Sequence, residues 1–175
     1  MQRVLIVGQP GSGKSSLARA LGARTDLPVT HLDLFHWAPG WTERPPEERL
    51  RLTLNAAARE AWIIEGNYFA TWEARALRAD LLIWLDRSVG LRLWRVTRRL
   101  VLSLGRSRPD LPEGCPERLG RNMLVFLRYI WATRRSGRDD IARRAASFAG
   151  PVVRLNSDEE VRRFLEASEA GWPPA

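Results

Sequence analysis

Short apolar runs alternate along the chain with longer segments in which apolar residues recur every three or four positions. The runs are rich in Val, Ile, Leu and Trp and end at polar or turn-forming residues, as is typical of strands buried in a parallel sheet. They predict five strands, at residues 3–7, 29–33, 62–65, 81–85 and 152–155.

The segments between these runs have helical periodicity. Leu17, Ala20 and Leu21, for example, fall on one face of a helix. Pro46 suits the first turn of a helix, where its missing N–H does no harm. The predicted helices span residues 15–24, 46–61, 89–104, 117–133, 139–148 and 158–167. This alternation predicts an α/β fold in which helices cover both faces of a parallel sheet.

A glycine-rich loop joins the first predicted strand to the first predicted helix. Residues 8–15 read G-Q-P-G-S-G-K-S, which matches the phosphate-binding loop pattern G-x-x-x-x-G-K-[ST]. A chance match would lack the strand before it and the helix after it. Since the amides and dipole of a helix N-terminus favour phosphate, the motif predicts binding of ATP with Mg²⁺.

Most positions of this loop have an expected role toward ATP. Lys14 would reach the β- and γ-phosphates, and Ser15 would place its hydroxyl on Mg²⁺. Ser16 either contacts the α-phosphate or simply lies in the first helical turn. Lys14 is the one lysine among 28 basic residues, and a compact ammonium suits a cradle too narrow for a guanidinium. The expected phosphate-loop contacts are Gly8, Pro10, Gly11, Ser12, Gly13, Lys14, Ser15 and Ser16.

The positive charge is concentrated in one segment. The net charge is +8, and residues 87–144 carry 15 arginines against five acidic residues. Such a segment suits either a nucleic acid backbone or the phosphates of a small nucleotide. Part of the excess is also expected on solvated helix faces. No helix-turn-helix or zinc-finger pattern appears, so nucleic acid is the less favoured partner.

Length and composition favour one domain. The chain has 175 residues, of which 45% are hydrophobic, enough for a single core spanning residues 1–175. No apolar run of 18 residues and no amino-terminal signal region is present, so we expect no membrane partner and a cytoplasmic location. Cys115 is the single cysteine, so it forms no internal disulfide and is expected to be structural.

Three predicted strands end at an acidic residue, and ligands of open α/β sheets bind beyond these carboxyl ends. Asp33 is expected to bind or deprotonate a substrate hydroxyl, or to steady a magnesium-bound water, rather than to act only as a turn residue. Glu65 is expected to orient a metal-bound water. Asp86, at the end of the fourth strand, is a second-rank candidate for the metal site. The alternative roles for its carboxylate are pairing with Arg87 and capping of the next helix through Ser88.

Polar and aromatic residues next to these acids are candidates for substrate contacts. Asn67 and Tyr68 follow the third strand, and Trp37 lies in the loop after the second. His31 and His36 have no metal-ligand spacing with Cys115, so both are assigned to packing or loops. Loop tryptophans suited to stacking on a flat ligand are Trp37, Trp41 and Trp72, whereas Trp62, Trp84, Trp94 and Trp131 are assigned to the core.

The helix after the fourth strand presents Arg95 and Arg99 on one face, four residues apart. Both are candidates for stabilising a transferring phosphoryl group, and Arg99 is also a candidate for binding ATP itself. A proline- and glycine-rich segment follows at residues 104–120. We interpret this segment as a lid that would exclude water, with Arg106, Arg108, Arg118 and Arg121 as its cations.

Taken together, these motifs resemble the adenylate-kinase-like P-loop kinases. A closer resemblance is to bacterial proteins labelled adenylate kinase or DNA topology modulation protein of the FlaR type. The closer resemblance is carried by L-D at 32–33, F-H-W at 35–37, P-G-W at 39–41, W-I-I-E-G-N-Y at 62–68, R-A-D at 78–80, R-P-D at 108–110 and G-C-P-E at 114–117.

The resemblance implies a three-layer fold with a five-stranded parallel sheet in the order 2-3-1-4-5 and a lid between the fourth and fifth strands. It also implies ATP-dependent transfer to a small acceptor. Two departures are visible. The third-strand motif of this group usually reads Asp-Gly, whereas this chain has Glu65-Gly66. The arginine with which adenylate kinases grip AMP is not at its usual place.

The sequence therefore predicts a kinase that moves the γ-phosphate of Mg-ATP to a nucleotide or a hydroxylated metabolite. The alternative is a nucleotide-dependent regulatory or DNA-associated protein with only weak NTP hydrolysis, which the basic segment 87–144 would explain.

Overall fold

In a computed structural model of the chain, residues 2–105, 111–116 and 120–170 are described. Five strands form one parallel sheet, as the sequence predicts, in the order β2-β3-β1-β4-β5. This is the order implied by the family resemblance. The strands are β1 (Arg3–Gly8), β2 (Val29–His31), β3 (Trp62–Glu65), β4 (Leu81–Leu85) and β5 (Val152–Leu155).

Helices connect the strands and cover the sheet. They are α1 (Lys14–Thr25), α2 (Leu32–His36), α3 (Pro46–Ala57), α4 (Trp72–Ala76), α5 (Val89–Leu102), α6 (Arg121–Ala132), α7 (Ser136–Ala146) and α8 (Asp158–Ala170), with a 3₁₀ turn at Phe69–Thr71. None of the helices in the described residues is long and apolar enough to cross a bilayer.

Successive residues of the central strand β1 point to opposite faces of the sheet. Leu5 and Val7 pack toward α3, α4 and α7, in one cluster with Ala56, Trp72 and Ile141. The neighbouring residues of β1 pack on the other face, in a cluster that includes Leu17 and Leu21 of α1 and Phe164 of α8. Both faces of β1 are therefore dry, which explains its continuous apolar sequence.

The largest difference from the predicted elements follows β2. The strand ends at His31, and Asp33 lies in the first turn of α2 rather than at the end of a strand. A carboxylate is favourable in the first turn of a helix because of the helix dipole. The chain then forms a hairpin, termed the 37–43 hairpin, whose strands are Trp37–Ala38 and Thr42–Glu43. Strands of two residues are too short to leave a periodic signal.

Two tryptophans assigned to the core are on the surface. Trp62 and Trp84 are buried as predicted, but Trp94 and Trp131 are 58% and 53% exposed. They lie on α5 and α6, which pack together through Val96, Leu100 and Ile130. Trp72, assigned to a loop, begins α4 and is buried.

Part of the predicted lid docks against the 37–43 hairpin. Residues 106–110 and 117–119 of the lid lie outside the described residues, and these include Arg106, Arg108 and Arg118. In the 111–116 segment, Gly114 O accepts from Gly40 N–H at 2.9 Å and Pro116 O accepts from Trp41 Nε1–H at 3.0 Å. The buried Cys115 thiol donates to Ala38 O at 3.3 Å. Cys115 is thus structural, as predicted, and joins the lid segment to the hairpin.

A buried arginine organises the turn after β3. Arg75, in α4, is 0% exposed and donates to Thr71 Oγ1 at 3.0 Å, Gly66 O at 3.2 Å and Tyr68 O at 2.7 Å. Burial, and to a smaller extent the charge of Arg144, lowers the pKa of Arg75 to about 10. The guanidinium therefore stays charged at neutral pH and fixes the backbone between Gly66 and Tyr68.

Replacement of this arginine should destabilise the fold. We expect Arg75→Met to lower the free energy of unfolding by roughly 2–4 kcal/mol, because two carbonyl groups lose their donor at about 1–3 kcal/mol each. Arg78→Met is the matched control, since Arg78 is exposed and also donates to backbone carbonyls, those of Ala57 and Ala58. Water replaces these bonds, so a loss below about 1 kcal/mol is expected. Urea denaturation measures the free energy of unfolding of both variants. Equal losses in Arg75→Met and Arg78→Met would contradict the role given to the buried Arg75.

Candidate active site

A cavity of about 1640 Å³ opens at the carboxyl edge of the sheet. Its floor is the phosphate loop, residues 8–15. One wall is formed by α2, α3, the 37–43 hairpin and the turn after β3, and the other by α5, α6 and the start of α8. We refer to the part of this cavity beside the 37–43 hairpin as the hairpin compartment, and the other part lies beside the loop and α8.

The phosphate loop is shaped by close backbone packing. Gly11 has a φ of +80°, and a Cβ there would lie 2.6 Å from Arg92 O of α5. Only glycine fits this position. A hydrogen bond also connects the loop to the end of α6, where Gln9 Nε2–H donates to Thr133 O at 2.9 Å. The loop is thus held in shape by contacts to two other helices.

The predicted nucleotide-binding residues, with the exception of Gly8, line the cavity together. Lys14 and Ser15 begin α1, and Ser16 is exposed in its first turn. Within the described part of the chain, no carboxylate lies at ion-pair distance from the Lys14 ammonium. Ser12 is 1% exposed and its hydroxyl has no hydrogen-bond partner. The loop therefore offers a cation and polar groups that are not satisfied by other residues.

Glu65 stands between the phosphate loop and β2. Its Oε1 accepts a hydrogen bond from Ser15 Oγ at 2.9 Å and contacts His31 Nδ1 at 2.8 Å. The side chains of His31 and Glu65 are only 9% and 3% exposed. Ser15 and Glu65, each predicted separately for the metal site, are thus in contact with one another, and His31, which the sequence analysis assigned to packing or loops, contacts Glu65 as well.

These residues suit Mg²⁺ better than a metal held by protein ligands alone. No group of three or more His, Cys, Asp or Glu side chains that could hold a metal occurs among the described residues. Magnesium usually binds through one or two protein oxygens while keeping water and substrate phosphates as its other ligands. A serine hydroxyl and a buried carboxylate 2.9 Å apart, beside a phosphate loop, match that requirement.

Asn67 and Tyr68 both line the cavity but differ in their contacts. The Asn67 amide accepts from Gly8 N–H at 3.2 Å and donates to Gly8 O at 2.8 Å, so it ties the turn after β3 to the phosphate loop. Tyr68 lines the cavity, and the Arg49 guanidinium lies 5.8 Å from its ring centroid. Arg49, on α3, places a cation in the hairpin compartment that sequence reasoning missed.

The hairpin compartment holds the predicted acceptor residues. Asp33, which is exposed, and Trp37, which is half-buried, both line it. Trp37 packs edge-to-face between the rings of His36 and Trp41, at centroid distances of 4.6 and 5.4 Å. Burial, followed by the charge of Arg49, lowers the pKa of His36, so this ring is neutral near pH 7. The compartment thus combines an accessible carboxylate with aromatic surface.

Arg95 lies at the phosphate loop but is held by an acid. Its Nη1–H donates to Ser12 O at 3.0 Å, and its Nη2–H donates to both Asp158 oxygens at 2.5 and 2.6 Å. Arg87 Nη2 lies 3.1 Å from the same carboxylate. The bond from Arg95 is the main cause that lowers the pKa of Asp158. Arg99, one turn further along α5, also lines the cavity.

Asp86 is engaged away from the metal position. Its carboxylate accepts from Arg138 Nε–H at 3.0 Å and from the Arg154 guanidinium. Burial raises the pKa of Asp86, but these bonds and charges outweigh burial and lower it. Arg87 pairs instead with Asp158, and Ser88 Oγ caps α5 by accepting from Leu91 N–H. Asp86 therefore holds α7 and β5 at the end of β4.

Solved structures share this architecture at low sequence identity. No protein-family model and no curated protein matches the chain. An unliganded sugar kinase from Janibacter sp. HTCC2649 is 15% identical, with a TM-score of 0.56, and the match covers 100% of this chain and 96% of that one. A shikimate kinase from Acinetobacter baumannii in complex with shikimate is 18% identical, with a TM-score of 0.53, and the match covers 95% and 89%. At these identities the likeness shows the fold alone, so the chain shares the α/β fold of these two structures.

Proposed function

We propose that the protein is an ATP-dependent kinase that transfers the γ-phosphate of Mg-ATP to a hydroxyl group of a small acceptor in the cytoplasm. The observation that carries the proposal is the two-sided cavity. On one side lie the phosphate loop, Lys14 and the Ser15–Glu65 pair, and on the other lies the exposed carboxylate of Asp33.

In this proposal the phosphate side works by electrostatic stabilisation. The loop amides and the Lys14 ammonium bind the triphosphate and offset charge that spreads over the transferring group. Ser15 and Glu65 would hold Mg²⁺, which supplies further neutralisation of the phosphate oxygens. Arg95 and Arg99 extend from α5 toward the same space. The arginines therefore act on the group in transit, whereas the loop fixes the donor.

On the acceptor side Asp33 orients the hydroxyl and takes its proton. The acceptor oxygen then forms a bond to the γ-phosphorus while the bond from that phosphorus to the bridging oxygen breaks, and ADP leaves. Trp37 and Tyr68 supply surface for the body of the acceptor. Water has to be excluded during this step, and the 111–116 segment closes one edge of the cavity.

A hydroxylated metabolite is the acceptor class that we favour. The sugar kinase and the shikimate kinase with the same fold are named for small molecules that carry several hydroxyl groups. The hairpin compartment offers a carboxylate for hydrogen bonding and aromatic faces for a carbon ring. A nucleotide acceptor remains the second choice within the same reaction class.

The alternative, a DNA-associated role, has one structural feature in its favour. Trp94 and Trp131 are exposed on α5 and α6, and Arg98 and Arg134 lie over their rings at 5.7 and 4.3 Å. Exposed aromatic rings beside arginines suit single-stranded nucleic acid. Steep salt dependence of binding to generic DNA would support this role. A DNA-associated role gives no function to the Asp33 side of the cavity, so the kinase proposal explains more of the site.

An acceptor screen tests the kinase proposal directly. ADP release is measured with Mg-ATP and a panel of sugars, hydroxylated acids and nucleoside monophosphates. The rate with each compound is compared with the rate without acceptor. At least one hydroxylated compound should raise the rate well above that background, with phosphate recovered on the compound. Acceptor-independent hydrolysis alone across the panel would contradict the proposal.

Loss of the Lys14 ammonium should abolish turnover. We expect Lys14→Ala to lower kcat/KM by at least about 10²–10³, since one preorganised electrostatic contact to the transition state is typically worth that much. Lys14→Arg keeps the charge but brings a planar group into the cradle, so it should recover little of the rate. Steady-state kinetics and ATP titration measure both variants. Wild-type ATP affinity and turnover in Lys14→Ala would refute the mechanism.

Asp33 should affect transfer and leave ATP binding intact. In Asp33→Asn the hydroxyl loses its proton acceptor, so kcat for transfer should fall by about 10²–10⁴. The affinity for ATP should stay within about twofold, because Asp33 lies across the cavity from the loop. Asp26→Asn is the matched control, since Asp26 is an exposed acid outside the cavity. An equal loss of ATP affinity in Asp33→Asn would show that the carboxylate belongs to the nucleotide side.

A further inference from the structure

One oxygen of Glu65 is held by two neighbours at once. Ser15 Oγ donates to Oε1 from the phosphate loop at 2.9 Å, and His31 Nδ1 approaches the same oxygen from β2 at 2.8 Å. The 2.8 Å separation is a hydrogen-bond distance, and in the inference below the imidazole Nδ1 is the donor and the carboxylate oxygen the acceptor. The second oxygen, Oε2, has no hydrogen bond to any described residue.

Backbone pairing fixes the contact between these two side chains. In the parallel ladder of β2 and β3, His31 is the register partner of Glu65. Side chains at paired positions lie on the same face of a sheet, so the imidazole and the carboxylate must be neighbours. Both side chains are almost fully buried, at 9% and 3% exposed, which leaves little room for other rotamers. The pair therefore has a fixed geometry.

The length of the Glu65 side chain explains why its carboxylate needs a restraint from His31. A glutamate side chain has one more methylene and one more rotatable bond than an aspartate. A carboxylate that rotated freely would spend part of its time away from the phosphate loop. Each return to the loop would then cost conformational entropy. A hydrogen bond from the neighbouring strand keeps Oε1 beside Ser15 and leaves Oε2 available to a metal-bound water.

We infer that His31 is a positioning residue for the magnesium site, which holds Glu65 in the one rotamer that serves both Ser15 and Mg²⁺. The inference rests on the proposed function, since it concerns the metal that accompanies ATP. His31 acts only through Glu65 and touches neither the nucleotide nor the acceptor. Hydrogen-bonded partners of this kind orient metal-site carboxylates in many proteins.

The test compares the affinity for ATP with excess MgCl₂ and with EDTA, measured by calorimetry on the full chain. Wild type should bind ATP more tightly with magnesium. His31→Phe keeps a ring but removes the donor, so it should lose about tenfold of that magnesium-dependent gain. Its affinity in EDTA should stay within about twofold of wild type. His31→Asn returns an N–H near the Nδ1 position and should restore most of the gain.

A second variant guards against misfolding of His31→Phe. In His31→Gln the amide reaches the position of Nε2 rather than Nδ1, so this variant should behave like His31→Phe despite its polarity. In the Glu65→Asp background, His31→Phe should have a much smaller effect, because the shorter side chain needs no such restraint. Circular dichroism verifies that each variant is folded.

The outcomes separate this inference from the proposed function. A full magnesium-dependent gain in both His31→Phe and His31→Gln would overturn the positioning role. So would equal losses of affinity in MgCl₂ and in EDTA, which a packing residue would give. If wild type itself gained nothing from magnesium, the proposed use of Mg-ATP would fail instead. Additive effects of Glu65→Asp and His31→Phe would show that His31 does not act through Glu65.

Discussion

The parallel pairing of β2, β3 and β1 is the constraint on which the site depends. Backbone hydrogen bonds align the three strands so that the phosphate loop, Glu65 and His31 emerge at one edge. Any slip of register by one residue would turn Glu65 to the other face of the sheet and away from Ser15. The apolar clusters on both faces oppose such a slip, because they bury alternate residues of β1. Chemistry at the edge is thus secured by packing in the interior.

Charge at the site is organised mainly by arginines paired with acids. Asp158 holds Arg87 and Arg95, and Asp86 holds Arg138 and Arg154. The first set of pairs attaches α8 to α5, and the second attaches α7 and β5 to the end of β4. Three arginines of the basic segment 87–144, which are Arg87, Arg95 and Arg138, therefore have a structural use. Lys14 differs, since no described acid pairs with it, and its charge remains available for a ligand.

Local signals in the sequence were enough for most of the fold. The bounds of β3, β4 and β5 agree with the predicted ones, because strands buried on both faces stand out as apolar runs. The phosphate loop was also evident, since its glycines and lysine have fixed spacing. Short elements were missed for the opposite reason. The 37–43 hairpin and α2 contain too few residues for a period, and Asp33 was placed on a strand in consequence.

Contacts between distant residues were beyond the sequence. Asp158 was seen as a residue of a helix start, yet its partner Arg95 lies 63 positions away. His31 was assigned to packing because its role follows from strand order, which local patterns do not encode. Trp94 and Trp131 were assigned to the core since tryptophan is usually buried, whereas their exposure depends on how α5 and α6 meet. Such facts need the three-dimensional arrangement.

The seam between the 37–43 hairpin and the 111–116 segment limits how this protein could acquire a new substrate. Four hydrogen bonds join backbone or side-chain atoms about 75 residues apart in the chain, so these two parts of the cavity rim are tied to one another. Lengthening either partner would break these bonds. Replacing side chains that line the cavity would leave these bonds intact. Substrate selectivity in such a scaffold can therefore change through substitutions while the lengths of the loops stay the same.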